Sequence, residues 1–181
     1  MKRPTMYIPH PTAALTAAAN RLRGRGVEFS DCAQDAEFLL YPAPTKLEML
    51  DSCTMDQTVI GGNLDFLNES VSRLDLLKDP YYLAANAAIT AEAALGIVLK
   101  ELRCAIDSAN ILILGWGRIG KCLAPLLKAL GAKVTVAARK EADRAILQAT
   151  GYGAVETGCI DAGKYRLITA QTEQTARHRI P

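Results

Sequence analysis

The clearest pattern of apolar and polar positions lies between Asn110 and Arg139. Four apolar residues, Ile111 to Leu114, end at a glycine, and a run this short and partly β-branched predicts a buried parallel strand. Leucines at helical spacing follow, and the run from Lys133 to Ala138 predicts a second strand. The leucines are Leu123, Leu126, Leu127 and Leu130. A strand, a turn, a helix and a strand within about 30 residues indicate a βαβ unit.

Three glycines in the turn of this unit, Gly115, Gly117 and Gly120, have the spacing G-x-G-x-x-G. The first allows the tight turn out of the strand, the second lets a pyrophosphate approach the backbone, and the third lets the helix pack closely on the sheet. Because a strand is predicted before the motif and a helix after it, the pattern favours dinucleotide binding. The alternative is a structural glycine turn in a sheet that binds no ligand.

The candidate cofactor-binding residues lie in this turn and at the end of the second strand. Arg118 either contacts a phosphate or lies solvated. Trp116 either covers the cofactor or packs on the neighbouring domain, and packing is favoured. The full set is Gly115, Trp116, Gly117, Arg118, Ile119, Gly120, Ala138, Arg139 and Lys140.

The end of the second strand bears on which dinucleotide binds. An NAD-selective site places Asp or Glu there to accept hydrogen bonds from the ribose 2′-hydroxyl. Here the position holds Ala138, followed by Arg139 and Lys140, two cations suited to a 2′-phosphate. The sequence therefore predicts that NADP binds more tightly than NAD. The alternative is that Arg139 stacks on the adenine or faces solvent.

Residues 1–79 contain four short apolar runs and one helical stretch, and this mixture of predicted strands and helix indicates a small α/β domain. The predicted strands are Met6–Ile8, Val27–Phe29, Glu37–Tyr41 and Thr58–Ile60, and the predicted helix is Thr12–Arg23 with Ala13, Ala14, Ala17, Ala18 and Leu22 on its apolar face. The polar stretch Asp65–Lys78 is predicted to be irregular or weakly helical, and to form the passage between domains.

The remaining elements complete the predicted organisation. Asp79-Pro80 is a helix-start signal, and the alanine-rich stretch Tyr81–Cys104 contains the longest predicted helix, starting near Thr90. Further predictions are a helix at Glu141–Thr150 with Ala142, Ala145, Ile146 and Ala149 on its apolar face, strands at Ala154-Val155 and Tyr165–Ala170, and a frayed tail at 171–181. The fold is thus predicted as α/β, with a small domain at 1–79, an interdomain helix at 80–107, and an incomplete Rossmann-type dinucleotide-binding domain at 108–181.

Composition excludes several classes of function. The net charge of +2 indicates neither nucleic-acid nor membrane-surface binding. Uninterrupted apolar runs are shorter than the roughly 20 residues of a spanning helix, and the N-terminus lacks a secretory signal, so a cytoplasmic protein is predicted. The cysteines, Cys32, Cys53, Cys104, Cys122 and Cys159, show no C-x-x-C spacing, which predicts reduced thiols and no metal site. His10 and His178 have no partners at catalytic spacing, so no general acid or base is assigned.

Three stretches from Asn86 onward resemble the A chain of dipicolinate synthase, an enzyme of spore-forming bacteria. They are Asn86-x-x-x-Thr90-x-Glu92, Gly115-x-Gly117-Arg118-x-Gly120, and Lys128 to Arg139. The glycine motif with its arginine is shared more loosely with D-2-hydroxyacid dehydrogenases and with the cofactor domain of adenosylhomocysteinase. The first stretch, together with the Ala-Arg pair at the strand end, points to the dipicolinate synthase group. Over roughly the first 80 residues the match is poor.

The resemblance implies an oxidoreductase subunit that uses NAD or NADP on a dihydrodipicolinate-type substrate during sporulation. It also implies a cleft between an N-terminal domain and a cofactor domain, and, as partner, a separate flavoprotein-like subunit. It places Asn86, Thr90 and Glu92 at the cleft as substrate or cofactor contacts. The residues alone leave another interpretation open, in which Thr90 caps a helix and Glu92 complements the helix dipole.

The sequence departs from the family after the fourth predicted strand of the cofactor domain. A doubly wound domain uses about six strands, whereas Gly115 to Pro181 holds only the first half and one further strand. The family's Asn-Thr pair would fall at Thr169-Ala170. A non-catalytic nucleotide-binding or structural remnant is therefore the alternative function, and a truncated piece, a shifted reading frame and a degenerate gene product all remain open. Because such a sheet leaves an edge and an apolar face uncovered, a homo-oligomer, namely a dimer, is predicted.

Overall fold

The computed structural model describes residues 3–50 and 56–170, and for residues 167–170 it describes the backbone alone. The chain divides into two compact units, Met1–Leu83 and Ala84–Pro181, and each contains its own parallel sheet. The predicted α/β class is confirmed. The division falls four residues later than the predicted end of the first domain at residue 79, and most of the predicted interdomain helix belongs to the second unit.

The described part of the first unit contains the strands β1 (Thr5–Tyr7), β2 (Glu28–Phe29), β3 (Phe38–Leu40), β4 (Thr58–Gly61) and β5 (Ser72–Asp75), and the helix α1 (Ala13–Arg23). The five strands form a parallel sheet in the order β2-β1-β3-β4-β5. Leu39 of the central strand β3 lies opposite Val59 of β4. Both side chains are fully buried, and with Ala36, Tyr41 and Leu64 they form the core of the unit.

Helix α1 begins where the sequence predicts, but its buried face matches the predicted one only in part. The Thr12 hydroxyl oxygen accepts a hydrogen bond from the Leu15 amide at 3.2 Å and caps the helix. The buried side chain is Ala19, and the half-buried ones are Leu15, Ala18 and Leu22, whereas Ala13, Ala14 and Ala17 are exposed. The predicted face is thus confirmed for Ala18 and Leu22 and wrong for the three exposed alanines, because closely spaced alanines do not define one face of a helix.

Strand β5 was not predicted, since Asp65–Lys78 was expected to be irregular or weakly helical. Ser72 to Asp75 pair in parallel with Thr58 to Gly61 at the edge of the first sheet. The first three side chains of β5 are exposed. An edge strand whose side chains are exposed on both faces of the sheet needs no apolar alternation, so the period-two pattern that reveals a strand is missing here.

The Asp75 carboxylate ties the end of β5 to the loop that follows β4. Its Oδ1 accepts hydrogen bonds from the Asn63 and Leu77 amides, both at 3.0 Å, and its Oδ2 accepts one from the Leu64 amide at 2.9 Å. Burial would raise the pKa of this carboxyl, but the three amides and the positive charge of Lys78 outweigh that effect and hold the pKa below its ordinary value.

We expect Asp75→Asn to lower the free energy of unfolding by about 1–3 kcal/mol at neutral pH, because three amides lose a charged acceptor. A carboxyl with a lowered folded-state pKa stabilises the fold above its unfolded-state pKa of about 3.9, and this stabilisation is lost as the pH falls through the folded-state pKa. The difference between variant and wild type should therefore shrink in acid. Urea unfolding at about pH 7 and about pH 3 measures this, with the exposed Asp31→Asn as control. A pH-independent difference would contradict the account.

The long helix α2 (Pro80–Glu101) begins at the predicted start signal and not near Thr90. The Asp79 Oδ1 accepts hydrogen bonds from the Tyr81 and Tyr82 amides at 2.8 and 3.3 Å, as expected of an N-cap. Thr90 thus lies inside the helix, and its hydroxyl donates to the Asn86 carbonyl at 2.7 Å. The interpretation of Thr90 as a helix cap was wrong.

Among the described residues, α2 is the one helix whose length and apolar composition would suffice to cross a membrane. The signal is weak, because the core helix of a soluble protein meets the same two criteria. Ala91 and Val98 of α2 are buried in the core of the second unit.

After α2, the described part of the second unit contains β6 (Asn110–Leu114), α3 (Arg118–Ala129), β7 (Lys133–Ala137), α4 (Glu141–Ala149), β8 (Gly153–Val155) and β9 (Leu167–Ala170). The four strands form a parallel sheet in the order β8-β7-β6-β9. All six elements were predicted, and where bounds were predicted they differ by up to two residues. Ile111, Ile113, Val136 and Leu127 are fully buried between sheet and helices. The predicted tail at 171–181 lies outside the described residues.

Helix α4 buries a different face from the one predicted. Ala142, Ala145 and Ala149 are exposed and Ile146 is 56% exposed, whereas Leu147 is fully buried. Burying one leucine removes far more apolar surface from water than burying alanines does, so Leu147 sets the orientation of the helix.

Candidate functional site: the carboxyl edge of the second sheet

The carboxyl ends of the four strands meet at one edge of the second sheet. Leu114 of β6 lies opposite Ala137 of β7, which lies opposite Val155 of β8, and Ala170 of β9 lies on the other side of Leu114. In chain order, β7 and β8 follow on one side of β6, and β9 then pairs with β6 on its other side. This reversal is a topological switch point, the position at which open α/β sheets bind ligands.

The glycine turn leaves the sheet at this point, between β6 and α3. Gly115 has φ +101°, a conformation that favours glycine, and its amide donates to the Ala137 carbonyl at 2.9 Å. The predicted tight turn is therefore present. It directs the chain away from β6 and into the first turn of α3.

Gly117 is the N-cap of α3 and is exposed. Its backbone is extended (φ −83°, ψ −170°), and no side chain caps the helix there. The first amides of a helix lack partners within the helix, and the helix dipole places partial positive charge at this end. An uncapped N-terminus at the switch point is suited to bind a phosphate or pyrophosphate. Gly120 is buried one turn further, as expected for close packing of helix on sheet.

The other residues of the turn differ in their surroundings. Arg118 is exposed, and Ile119 is half-buried against the core of the second unit. Trp116 is half-buried against the same core, with its ring centroid 6.1 Å from that of Tyr152. The contacts of Trp116 thus include packing within its own unit, whereas packing on the neighbouring domain was predicted.

The end of β7 presents two cations and no carboxylate. Ala138 is 2% exposed, and its amide continues the ladder by donating to the Val155 carbonyl at 3.0 Å. Arg139 and Lys140 follow and are exposed. Neither takes part in an ion pair with another described residue. Both charges are therefore available beside the glycine turn, since β6 and β7 are neighbours.

Arg144 also acts at this strand end, although the sequence pattern did not single it out. One nitrogen, Nη1, donates to the Ala138 and Arg139 carbonyls, both at 2.8 Å. A cation in the first turn of a helix is unfavourable for the helix dipole. That mismatch is the signal in the sequence that could have drawn attention to Arg144.

The three cleft candidates on α2 do not share one face. Asn86 and Thr90 are one turn apart and are joined by the hydrogen bond between hydroxyl and carbonyl. Glu92 is exposed and lies two residues beyond Thr90, which turns its side chain by about 200° around the helix. The structure brings the first two together and separates the third from them.

Residues for proton transfer or metal binding are scarce in the described part of the chain. The His10 Nε2 donates to the Met49 carbonyl at 2.7 Å, and the His10 ring lies 6.3 Å from that of Tyr41, in the first unit. His178 lies outside the described residues. The described cysteines, Cys32, Cys104, Cys122 and Cys159, are free thiols, and no group of three potential metal ligands occurs in the described part of the chain. No general acid or base is assigned.

Comparison with known proteins places this geometry in a known fold. No protein-family model and no curated protein matches the chain. Solved structures do: the A chain of dipicolinate synthase from Bacillus subtilis matches with a TM-score of 0.62 and 16% identity, over 88% of this chain and 68% of that one. The corresponding dipicolinate synthase protein from Bacillus halodurans matches with a TM-score of 0.64 and 18% identity, over 84% and 68%. A Salmonella D-lactate dehydrogenase matches with a TM-score of 0.63 and 12% identity, over 96% and 63%.

The chain has a Rossmann-type fold. The expectation from the sequence is thereby confirmed at the level of the fold. At these identities the likeness carries the architecture and leaves the substrate undetermined.

Proposed function

We propose that this chain is an NAD(P)-dependent oxidoreductase subunit that acts on a dihydrodipicolinate-type substrate. The observation that carries the proposal is the turn at the carboxyl end of β6. There Gly115 has a positive φ, and the exposed Gly117 begins an uncapped helix. The fold shared with two dipicolinate synthase proteins and a dehydrogenase supports the same reaction class.

The residues present fit a nicotinamide dinucleotide. The first amides of α3 would bind the pyrophosphate, and Gly117 would leave room for it. Arg139 and Lys140 would bind the 2′-phosphate of NADP. The cofactor supplies a carrier for hydride when bound. Asn86, Thr90 and Glu92 are proposed to contact substrate or cofactor, by resemblance to the family.

Binding and turnover test the proposal separately. The full chain should bind NADP and NAD in a calorimetric titration. With a dihydrodipicolinate added, loss of a hydride to oxidised NADP and release of a proton would yield dipicolinate and reduced NADP, which is detected by its absorbance. The assay is run with and without a separate flavoprotein-like subunit, the partner that the resemblance implies. Absence of dinucleotide binding would refute the proposal. Binding without turnover, both with and without the second subunit, would favour the non-catalytic alternative.

We also propose that the chain forms a homodimer. Ile89, Ile97 and Leu99 of α2 are 66%, 44% and 47% exposed, and apolar side chains exposed on one helix are commonly covered by association. Light scattering at high micromolar concentration should give the mass of a dimer. Ile89→Lys should shift the mass toward a monomer, whereas Leu47→Lys, at a similarly exposed position of the first unit, should leave it unchanged. A wild-type chain that stays monomeric would contradict this.

A further inference from the structure

Arg144 reaches backward along the chain from the first turn of α4. Its Nη1 carries two hydrogens, and the two 2.8 Å contacts direct them at the carbonyl oxygens of Ala138 and Arg139. Both carbonyls precede the helix, in the segment that joins β7 to α4. A hydrogen bond from a charged donor is about twice as strong as a neutral one.

These two bonds tie the segment before α4 to the first turn of the helix, although they satisfy carbonyl oxygens and leave the first amides of α4 uncapped. The N-cap of α4 is Lys140, which forms no side-chain capping bond. The Ala138 amide is held by the Val155 carbonyl of β8, and the Ala138 carbonyl is held by Arg144. The backbone that carries Arg139 is therefore fixed both from the sheet and from the helix, while the Arg139 side chain itself is exposed.

We propose that Arg144 is the positioning residue of the 2′-phosphate subsite, fixing the backbone from which Arg139 binds the phosphate. The proposal rests on the proposed function, because it presupposes NADP binding at this edge. Arg144 acts through Arg139, because its own Nη1 already donates to the carbonyl oxygens of Ala138 and Arg139. Without the two bonds from Arg144, the segment between β7 and α4 would have to become ordered each time a phosphate binds. This ordering would lower the affinity for NADP, whereas the rest of the dinucleotide site would stay unchanged.

The test uses two probes that carry only the adenosine half of the cofactors. The probes are 2′,5′-ADP, which has the 2′-phosphate, and 5′-AMP, which lacks it. Calorimetry on the full wild-type chain should give tighter binding of 2′,5′-ADP. Arg144→Met should reduce this preference about tenfold, the loss that corresponds to roughly one charge-assisted hydrogen bond. Its affinity for 5′-AMP should stay unchanged. Arg103→Met, which removes an exposed charge of the same unit, should keep the full preference.

A double-mutant cycle with Arg139→Met separates positioning from direct contact. If Arg144 acts through Arg139, adding Arg144→Met to Arg139→Met should lower the remaining preference by less than about threefold, because the two effects are coupled. Additive losses would show that Arg144 binds the phosphate itself and would overturn the proposal. Equal losses for both probes would show a general structural role and would overturn it too.

Wild-type binding of the two probes separates failure of the proposed function from failure of the role of Arg144. If wild type binds neither probe, the proposed function fails; if wild type shows the preference and Arg144→Met keeps it, only the role of Arg144 fails. Should Arg144→Met lack the wild-type circular dichroism, Arg144→Lys takes its place in the cycle. Its nitrogen ends one bond nearer the backbone, so the preference should fall, and a wild-type preference in Arg144→Lys would overturn the proposal.

Discussion

Replacing Gly117 with valine should abolish dinucleotide binding and leave the fold intact. The backbone of Gly117 is extended, with φ −83° and ψ −170°, so valine can adopt it without strain. The position is exposed, so the added methyl groups are compatible with the fold. They would occupy the space in front of the first amides of α3, where the pyrophosphate is proposed to bind. We expect the affinity for NADP to fall by at least about 100-fold, or roughly 2.8 kcal/mol.

Calorimetry with NADP measures the loss, and a thermal melt followed by circular dichroism checks the fold. Gly158→Val is the matched control, because Gly158 belongs to the same unit, has open space around it and lacks a positive φ. That control should bind NADP as wild type does. Unchanged affinity in Gly117→Val would remove the glycine turn from the binding site.

NADP should bind the wild-type chain at least about tenfold more tightly than NAD, and Arg139→Ala should remove most of the difference. The carboxylate that would select NAD is replaced by the buried Ala138. Arg139 is exposed and in no ion pair with a described residue, so its planar donor group is free to form two hydrogen bonds with a 2′-phosphate. The affinity for NAD should change little in the variant.

Parallel titrations with NADP and NAD on wild type, Arg139→Ala and Arg103→Ala measure the selectivity. The last variant removes an arginine at the exposed position just beyond α2 and controls for the change in net charge. Equal affinities in wild type would show that the strand end does not select the cofactor. A preference that survives in Arg139→Ala would assign the selection to other residues.

The second unit could be predicted closely because its signals are local. The apolar run Ile111–Leu114 and the glycines after it define a strand and a turn within ten residues, and the positive φ of Gly115 is the conformation that the motif requires. Strand β5 could not be predicted, because an exposed edge strand lacks the apolar alternation. The orientation of α4 was mispredicted because alanines were weighted like larger apolar residues, whereas Leu147 provides most of the buried surface.

The backbone features of the candidate site could be predicted from the sequence, whereas the contacts that its residues make could be predicted less well. The uncapped start of α3 and the two cations after β7 follow directly from sequence order. The packing of Trp116 on Tyr152 depends on residues distant in sequence, and so does the fixing of the Ala138 amide by Val155. The bonds of Arg144 depend on the path of the segment before α4, and the sequence pattern gave no sign of that path.

The central claim is that a dinucleotide binds at the turn between β6 and α3, and amide chemical shifts during a titration with NADP test it most directly. In the full isotope-labelled chain, the amides of Gly117, Arg118 and Ile119 should shift with a saturable dependence on NADP, together with that of Arg139. The amides of Gly158 and of Gly26 in the first unit should not move. Saturable shifts confined to other parts of the chain, or no shifts at all, would contradict the account.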